Sequence, residues 1–329
     1  MKTAFNVGEF AFKARRGLPA VVVLAAALVG ALADPAAAAD PPKAFKVERT
    51  ADIDYCDIPN DPDRAQHRLD VFRPVGKDEC SVVFFVHGGG WMIGDKDDVF
   101  GIYGYGTIAE SIARRGVVVV LPNYRLSPKA KHPDHITDVA RAFAWTHRNI
   151  AKYGGRPDQL FASGHSAGGH LVSLLATDET YLKAEGLSAT DVKGVVSISG
   201  IYRVDAFDLR LSAMNEWLDA SAEIHPFASV FGDDPEVLKQ ASPLTHVRPG
   251  LPPFLLVYGS LDYCPIKQAT RDFEAALEDN DCEVDVKKVL WRTHETVLVD
   301  LVHGVEPATA DALIRFVERR TRGASKPDR

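Results

Sequence analysis

Gly164-His165-Ser166-Ala167-Gly168 sets a serine between two glycines at a spacing that suits a nucleophile. A serine on a tight strand-to-helix turn sits in a strained backbone conformation, and the residues two before and two after it must be nearly free of side-chain atoms. The return is a hydroxyl standing clear of the sheet, with the N-terminal amides of a helix aimed at it. The second candidate is His87-Gly88-Gly89-Gly90-Trp91. A nucleophilic serine creates a tetrahedral intermediate with a negative oxygen. Consecutive glycines let backbone N–H groups face that oxygen, and removing one such donor costs about 3–4 kcal/mol. His87 reads as a structural residue that holds this loop.

These motifs need elements to position them. Val82–Val86, directly before His87, is a continuous apolar run of strand length, as in strands buried on both faces. The same type recurs at Val117–Leu121, Leu160–Ala162, Val195–Ile198, Phe254–Tyr258 and, less purely, Val284–Leu290. Lys46–Tyr55 and Arg68–Phe72, separated by the turn-rich Pro59-Asn60-Asp61-Pro62-Asp63, predict a hairpin. Ile136, Val139, Ala140 and Phe143 share one helix face, and Ala167–Ala176, Ile266–Leu277 and Ala308–Val317 also read as helices. The alternation predicts an α/β fold, a mostly parallel central sheet with helices on both faces. Residues 201–250 break the rhythm and predict a small lid or pocket wall around Trp217, Phe227 and Phe231; 321–329 reads as a tail.

HGGGW at 87–91, Asn123-Tyr124-Arg125-Leu126-Ser127-Pro128 and GHSAGG at 164–169 together resemble the α/β-hydrolase esterases, in particular the carboxylesterase and acetyl-esterase group with an HGGG oxyanion loop. The resemblance runs from about residue 45 to 320 and implies an α/β-hydrolase fold and a serine carboxylic-ester hydrolase. It also implies that Gly89 and Gly90 donate to the oxyanion, joined by the N–H of Ala167. Hormone-sensitive-lipase relatives usually carry GDSAGG and a long N-terminal cap, whereas this chain has GHSAGG and a short lead-in. HGG-x-W also occurs in kynurenine formamidases, which keeps an arylformamidase-type substrate open beside the ester. A non-catalytic binding protein on this fold is the third reading.

The serine needs a base and the base a carboxylate, in the chain order Ser, Asp or Glu, His. Asp262 follows the Phe254–Tyr258 strand and is the predicted acid; Asp205 is its rival. His294 and His303 both follow Asp262. His294 stands in the loop leaving the last strand, on the edge where Ser166 and Asp262 emerge, and is the predicted base. His132, His135, His165 and His170 lack the required order and read as structural or surface residues.

The chain of 329 residues is 46% apolar and 25% charged, which excludes disorder, collagen and coiled coil as dominant states. Lys2, Lys13, Arg15 and Arg16 followed by 15 apolar residues, Leu18–Leu32, predict a signal peptide over 1–39, with cleavage before Asp40 or before Asp34. The mature domain is then 40–320 and the location secreted or periplasmic. The mature chain carries 34 basic and 43 acidic residues, a net charge of −9. It has no basic block and no second hydrophobic run, so a small-molecule ester, not nucleic acid or membrane, is the expected partner. Export makes Cys56–Cys80 and Cys264–Cys282 the expected disulfides. No metal or cofactor motif accompanies the glycine loops.

Overall fold

Alternation of side chains across each strand organises the fold. Val82, Phe84 and Val86 join one apolar core while Val83 and Phe85, between them, join the other. Such strands must be covered on both faces. The computed structural model describes residues 44–97, 104–204, 227–302 and 307–322, all within one unit, Pro42–Arg329. The described strands are β1 (Val47–Asp54), β2 (Arg68–Pro74), β3 (Cys80–Val86), β4 (Val118–Pro122), β5 (Gly155–His165), β6 (Val195–Ile198), β7 (Phe254–Gly259) and β8 (Val284–Val289). They form one sheet in the order β1-β2-β4-β3-β5-β6-β7-β8. The hairpin β1–β2 and the β2–β4 pair are antiparallel, and every later pair is parallel.

The described helices are α1 (Tyr105–Ala113), α2 (Asp134–Asn149), α3 (Ala167–Thr177), α4 (Glu179–Ala184), α5 (Ala228–Phe231), α6 (Pro235–Gln240), α7 (Cys264–Glu278), α8 (Val299–Val302) and α9 (Ala308–Arg322). Ile136 of α2, Leu171 of α3 and Phe273 of α7 lie in the core on one face; Ile108 of α1, Leu301 of α8 and Phe316 of α9 lie in the core on the other. Among the described residues no helix is long and apolar enough to cross a membrane.

The parallel strands all end at the same edge, where an open α/β sheet presents its site. The loops after Val86, His165, Ile198, Gly259 and Val289 therefore gather there. Of the 201–250 segment, Phe227 and Phe231 pack edge-on against Trp91, 5.0 and 4.9 Å between ring centroids. Asp205, Trp217 and His303, like the signal-peptide segment 1–39, lie outside the described residues.

Two expectations need correction. The predicted tail begins too early, because α9 runs to Arg322. The two disulfides are not formed; all four cysteines are free. Cys264 opens α7 and Cys282 follows its far end, and a 15-residue helix is about 22 Å long. Cys56 follows β1 at the edge where β4 ends, whereas Cys80 opens β3 at the opposite edge, a separation of about 20 Å along the strand. A disulfide requires Cα atoms within about 7 Å. The Cys80 thiol instead meets the carbonyls of Lys77 and Asp78, and that of Cys282 the carbonyl of Arg248.

Candidate active site

Ser166 is the single residue between β5 and α3, at φ 54° and ψ −117°, a left-handed backbone that disfavours any side chain. Its neighbours explain how the turn closes. A Cβ on Gly164 would lie 2.5 Å from the Gly168 carbonyl, and one on Gly168 would lie 2.1 Å from the carbonyl oxygen of Val86. Both glycines are needed for β5, α3 and the end of β3 to meet. The Ser166 N–H donates to the Ile198 carbonyl at 2.9 Å, which ties the turn to β6.

The predicted base and acid converge on this serine. His294 Nε2 lies 2.9 Å from Ser166 Oγ, and His294 Nδ1 lies 3.0 Å from Asp262 Oδ1. A carboxylate only accepts, so Nδ1 carries the proton and Nε2 accepts the serine O–H. Asp262 is buried, and burial alone would raise its pKa. The hydrogen bond and charge of His294, then the donors Ser199 Oγ and Tyr263 N–H, outweigh burial and hold it below the usual carboxylate range. Ser199 Oγ donates to Oδ2 at 2.5 Å and the Tyr263 N–H to Oδ1 at 2.8 Å. The loop bearing His294 is fastened to the loop bearing Asp262. The Leu261 N–H donates to the Arg292 carbonyl at 2.9 Å, and the Trp291 N–H donates to Ser260 Oγ at 2.8 Å. Arg292 is in turn paired with buried Asp300.

Gly89 and Gly90 have φ of 114° and 60°, and among the described residues the N–H groups of Gly89, Gly90 and Ala167 make no hydrogen bond. The loop that carries the two glycines is held from behind. His87 Nδ1 donates to the Gly88 carbonyl at 2.8 Å, and its ring stacks on Tyr124 with centroids 4.4 Å apart. Burial pushes His87 down to about 4, so it is a neutral clamp. Tyr124 O–H donates to the His87 carbonyl at 3.2 Å, and Asn123 holds the Lys96 N–H and the Asp95 carboxylate. The NYR segment is thus the brace of the glycine loop.

Three contacts escaped the sequence reading. Ser199 and Tyr105 lie in no motif, and His165 offered only its place within GHSAG. Ser199 did carry one positional sign: it directly follows β6 on the edge where the other loops emerge. His165 Nε2 donates to the His294 carbonyl at 2.8 Å, and its ring lies 4.9 Å from that of His294. The Tyr263 ring also lies 5.1 Å from that of His294. Met92, Ile93, Leu261, Tyr263, Leu290 and Trp291, all in loops at this edge, are exposed.

A strained serine, an imidazole and a carboxylate at the strand ends of a mostly parallel eight-stranded sheet define an α/β-hydrolase fold. Solved structures agree: an inhibited esterase B from Lactobacillus rhamnosis superposes with a TM-score of 0.68 at 21% identity, covering 86% of this chain and 89% of that one. The chain belongs to the BD-FAE family, whose pattern it matches over residues 69–277. It is also similar to two proteins of Mycobacterium tuberculosis. Esterase LipQ is 33% identical over 68% of this chain and 52% of its own length. Esterase LipC is 33% identical over 61% of this chain and 50% of its own. The chain spans about half the length of these curated relatives.

Proposed function

We propose that the protein is a serine carboxylic-ester hydrolase acting on short-chain or small esters. The observation that carries this is the hydrogen-bonded row Ser166–His294–Asp262, with distances of 2.9 and 3.0 Å. Ser166 Oγ attacks the ester carbonyl carbon while its proton passes to His294 Nε2. Asp262, kept ionised, stabilises the imidazolium and fixes its tautomer. The N–H groups of Gly89, Gly90 and Ala167 receive the oxyanion, which suits their lack of partners among the described residues. The imidazolium then protonates the departing alcohol, and water repeats the sequence on the acyl-enzyme. Every step uses the chain's own groups. Membership of the BD-FAE family and the esterase names of the relatives support the reading.

The test is a steady-state comparison of kcat/KM on a short acyl ester and an N-formyl anilide. The ester is expected to be preferred, and Ser166→Ala to lose on the order of 10⁶ in kcat. Preference for the anilide would move the substrate to the formamide class that HGG-x-W also allows. Turnover by Ser166→Ala within tenfold of wild type would remove the serine from the chemistry.

The protein is further proposed to be exported. The support is the basic start, the 15-residue apolar run and the small residues before Asp40. Protein recovered from the periplasm or medium is expected to begin at Asp40 or Asp34. An intact Met1 on membrane-bound protein would overturn this.

A further inference from the structure

His165 sits at the variable position of the G-x-S-x-G turn, so its backbone is fixed next to the serine. Its side chain is buried, at 5% exposure, and does not touch the serine hydroxyl in this geometry. Both ring nitrogens are engaged. Nε2 faces the backbone carbonyl of His294 at 2.8 Å, and Nδ1 faces the Tyr105 hydroxyl at 3.4 Å. The Tyr105 oxygen in turn lies 2.8 Å from the N–H of Gly88.

The direction of every bond in this row follows from chemistry. A carbonyl only accepts, so His165 Nε2 must carry the proton. Its Nδ1 is then an acceptor in the neutral ring, so the Tyr105 O–H points at it. The Tyr105 oxygen is left to accept from Gly88 N–H. The row therefore runs from Gly88 through Tyr105 and His165 to His294. One end is the loop that presents Gly89 and Gly90. The other is the backbone of the residue whose ring lies 2.9 Å from Ser166 Oγ. The middle is anchored on the serine turn itself and on α1.

We infer that His165, braced by Tyr105, is a positioning residue that sets the His294 backbone relative to the glycine loop and so holds the imidazole between Ser166 and Asp262. This deepens the ester-hydrolase reading and rests on it. The groups that could disturb the row are the titratable ones facing His165: His294 from the loop after β8, Asp262 from the loop after β7, and Tyr105 from α1. Burial, and next the proximity of His294, push His165 down to about 3. It therefore stays neutral when His294 becomes an imidazolium during turnover, and the donor to the His294 carbonyl persists through the cycle.

The experiment uses the full chain and three variants, with active enzyme counted by stoichiometric reaction with a fluorophosphonate. His165→Phe keeps a ring and removes both nitrogens. His165→Gln keeps an amide N–H close to where Nε2 stood. His165→Asn can reach only the Tyr105 side. A misplacement of about 1 Å can cost about 100-fold in rate. His165→Phe and His165→Asn are therefore expected to lose roughly 30- to 300-fold in kcat per active site, with KM changed less than about threefold. His165→Gln is expected to stay within about tenfold of wild type. A Phe variant within about threefold of wild type per active site overturns the inference. So does equal loss in all three variants, with no rescue by Gln, which would mark a purely structural side chain. These results are read beside Ser166→Ala. If Ser166→Ala is dead and His165→Phe is not impaired, the inference alone falls. If Ser166→Ala turns over, the hydrolase reading itself falls.

Discussion

Asp262 orients His294, and Ser199 orients Asp262. The carboxylate has two oxygens to satisfy in a buried site, and Oδ1 is shared by His294 and the Tyr263 N–H. Oδ2 takes the Ser199 hydroxyl at 2.5 Å. Ser199 reaches it from a left-handed backbone, φ 49°, with its N–H tied to the Val257 carbonyl at 2.7 Å. Hydrogen bonds to ionised groups are worth about 1.5–3 kcal/mol. Ser199→Ala is accordingly expected to lower kcat/KM roughly 10- to 100-fold while the far-ultraviolet dichroism stays native. Steady-state rates on a short acyl ester check this, and an unchanged rate would show that Oδ2 does not need the serine. The convergence of Ser166, Asp262 and His294 is legible in the sequence because strand ends, chain order and a strained glycine-flanked turn constrain where they emerge. Ser199 was not, because a Ser-Gly pair after a strand is common and only the assembled sheet reveals what faces it.

At the scale of elements, the eight strands were legible for a physical reason. Strands buried on both faces are unbroken apolar runs, and the antiparallel hairpin at the start announced itself by its turn residues. The charged edge strand β8, with Asp285, Lys287 and Lys288, was the least pure signal, as an edge exposed to solvent must be. The helix α1 gives a weak sequence signal although Tyr105, Ile108, Ala109 and Ile112 have helical spacing, because Gly104 and Gly106 blur its start. The disulfide reading failed at this scale too. Closeness along the chain is not closeness in space here, because the elements between the cysteines are straight rods that hold them apart. The NYR segment read only as part of a resemblance, yet its role is mechanical. Tyr124 and Asn123 are the struts behind the glycine loop.

For the whole molecule the buried histidines decide how stability responds to acid. His87, His135, His165 and His170 are buried, and burial is the leading cause that pushes them down to about 4, 4, 3 and 3. In the unfolded chain each titrates near 6.5. Between about 6.5 and 4 the unfolded state therefore holds more protons than the folded one, and stability falls as pH falls. Each histidine contributes a slope that approaches roughly 1.4 kcal/mol per pH unit in that window. His67 has the opposite sign. Burial opposes its protonated form, but Asp138 and Asp61 win and raise its pKa. Its stabilisation is complete below about 6.5 and is lost as pH rises through the raised value, so its window lies on the alkaline side and does not offset the other four. The chain's net charge is already −7 with histidines neutral, so modest protonation near neutrality does not add repulsion. The expected result is a urea midpoint that is highest near pH 6.5–7, falls steeply toward pH 5 and declines gently on the alkaline side, at constant m. A midpoint that stays flat from pH 7 to 5 would mean that these histidines take up protons without unfolding the chain.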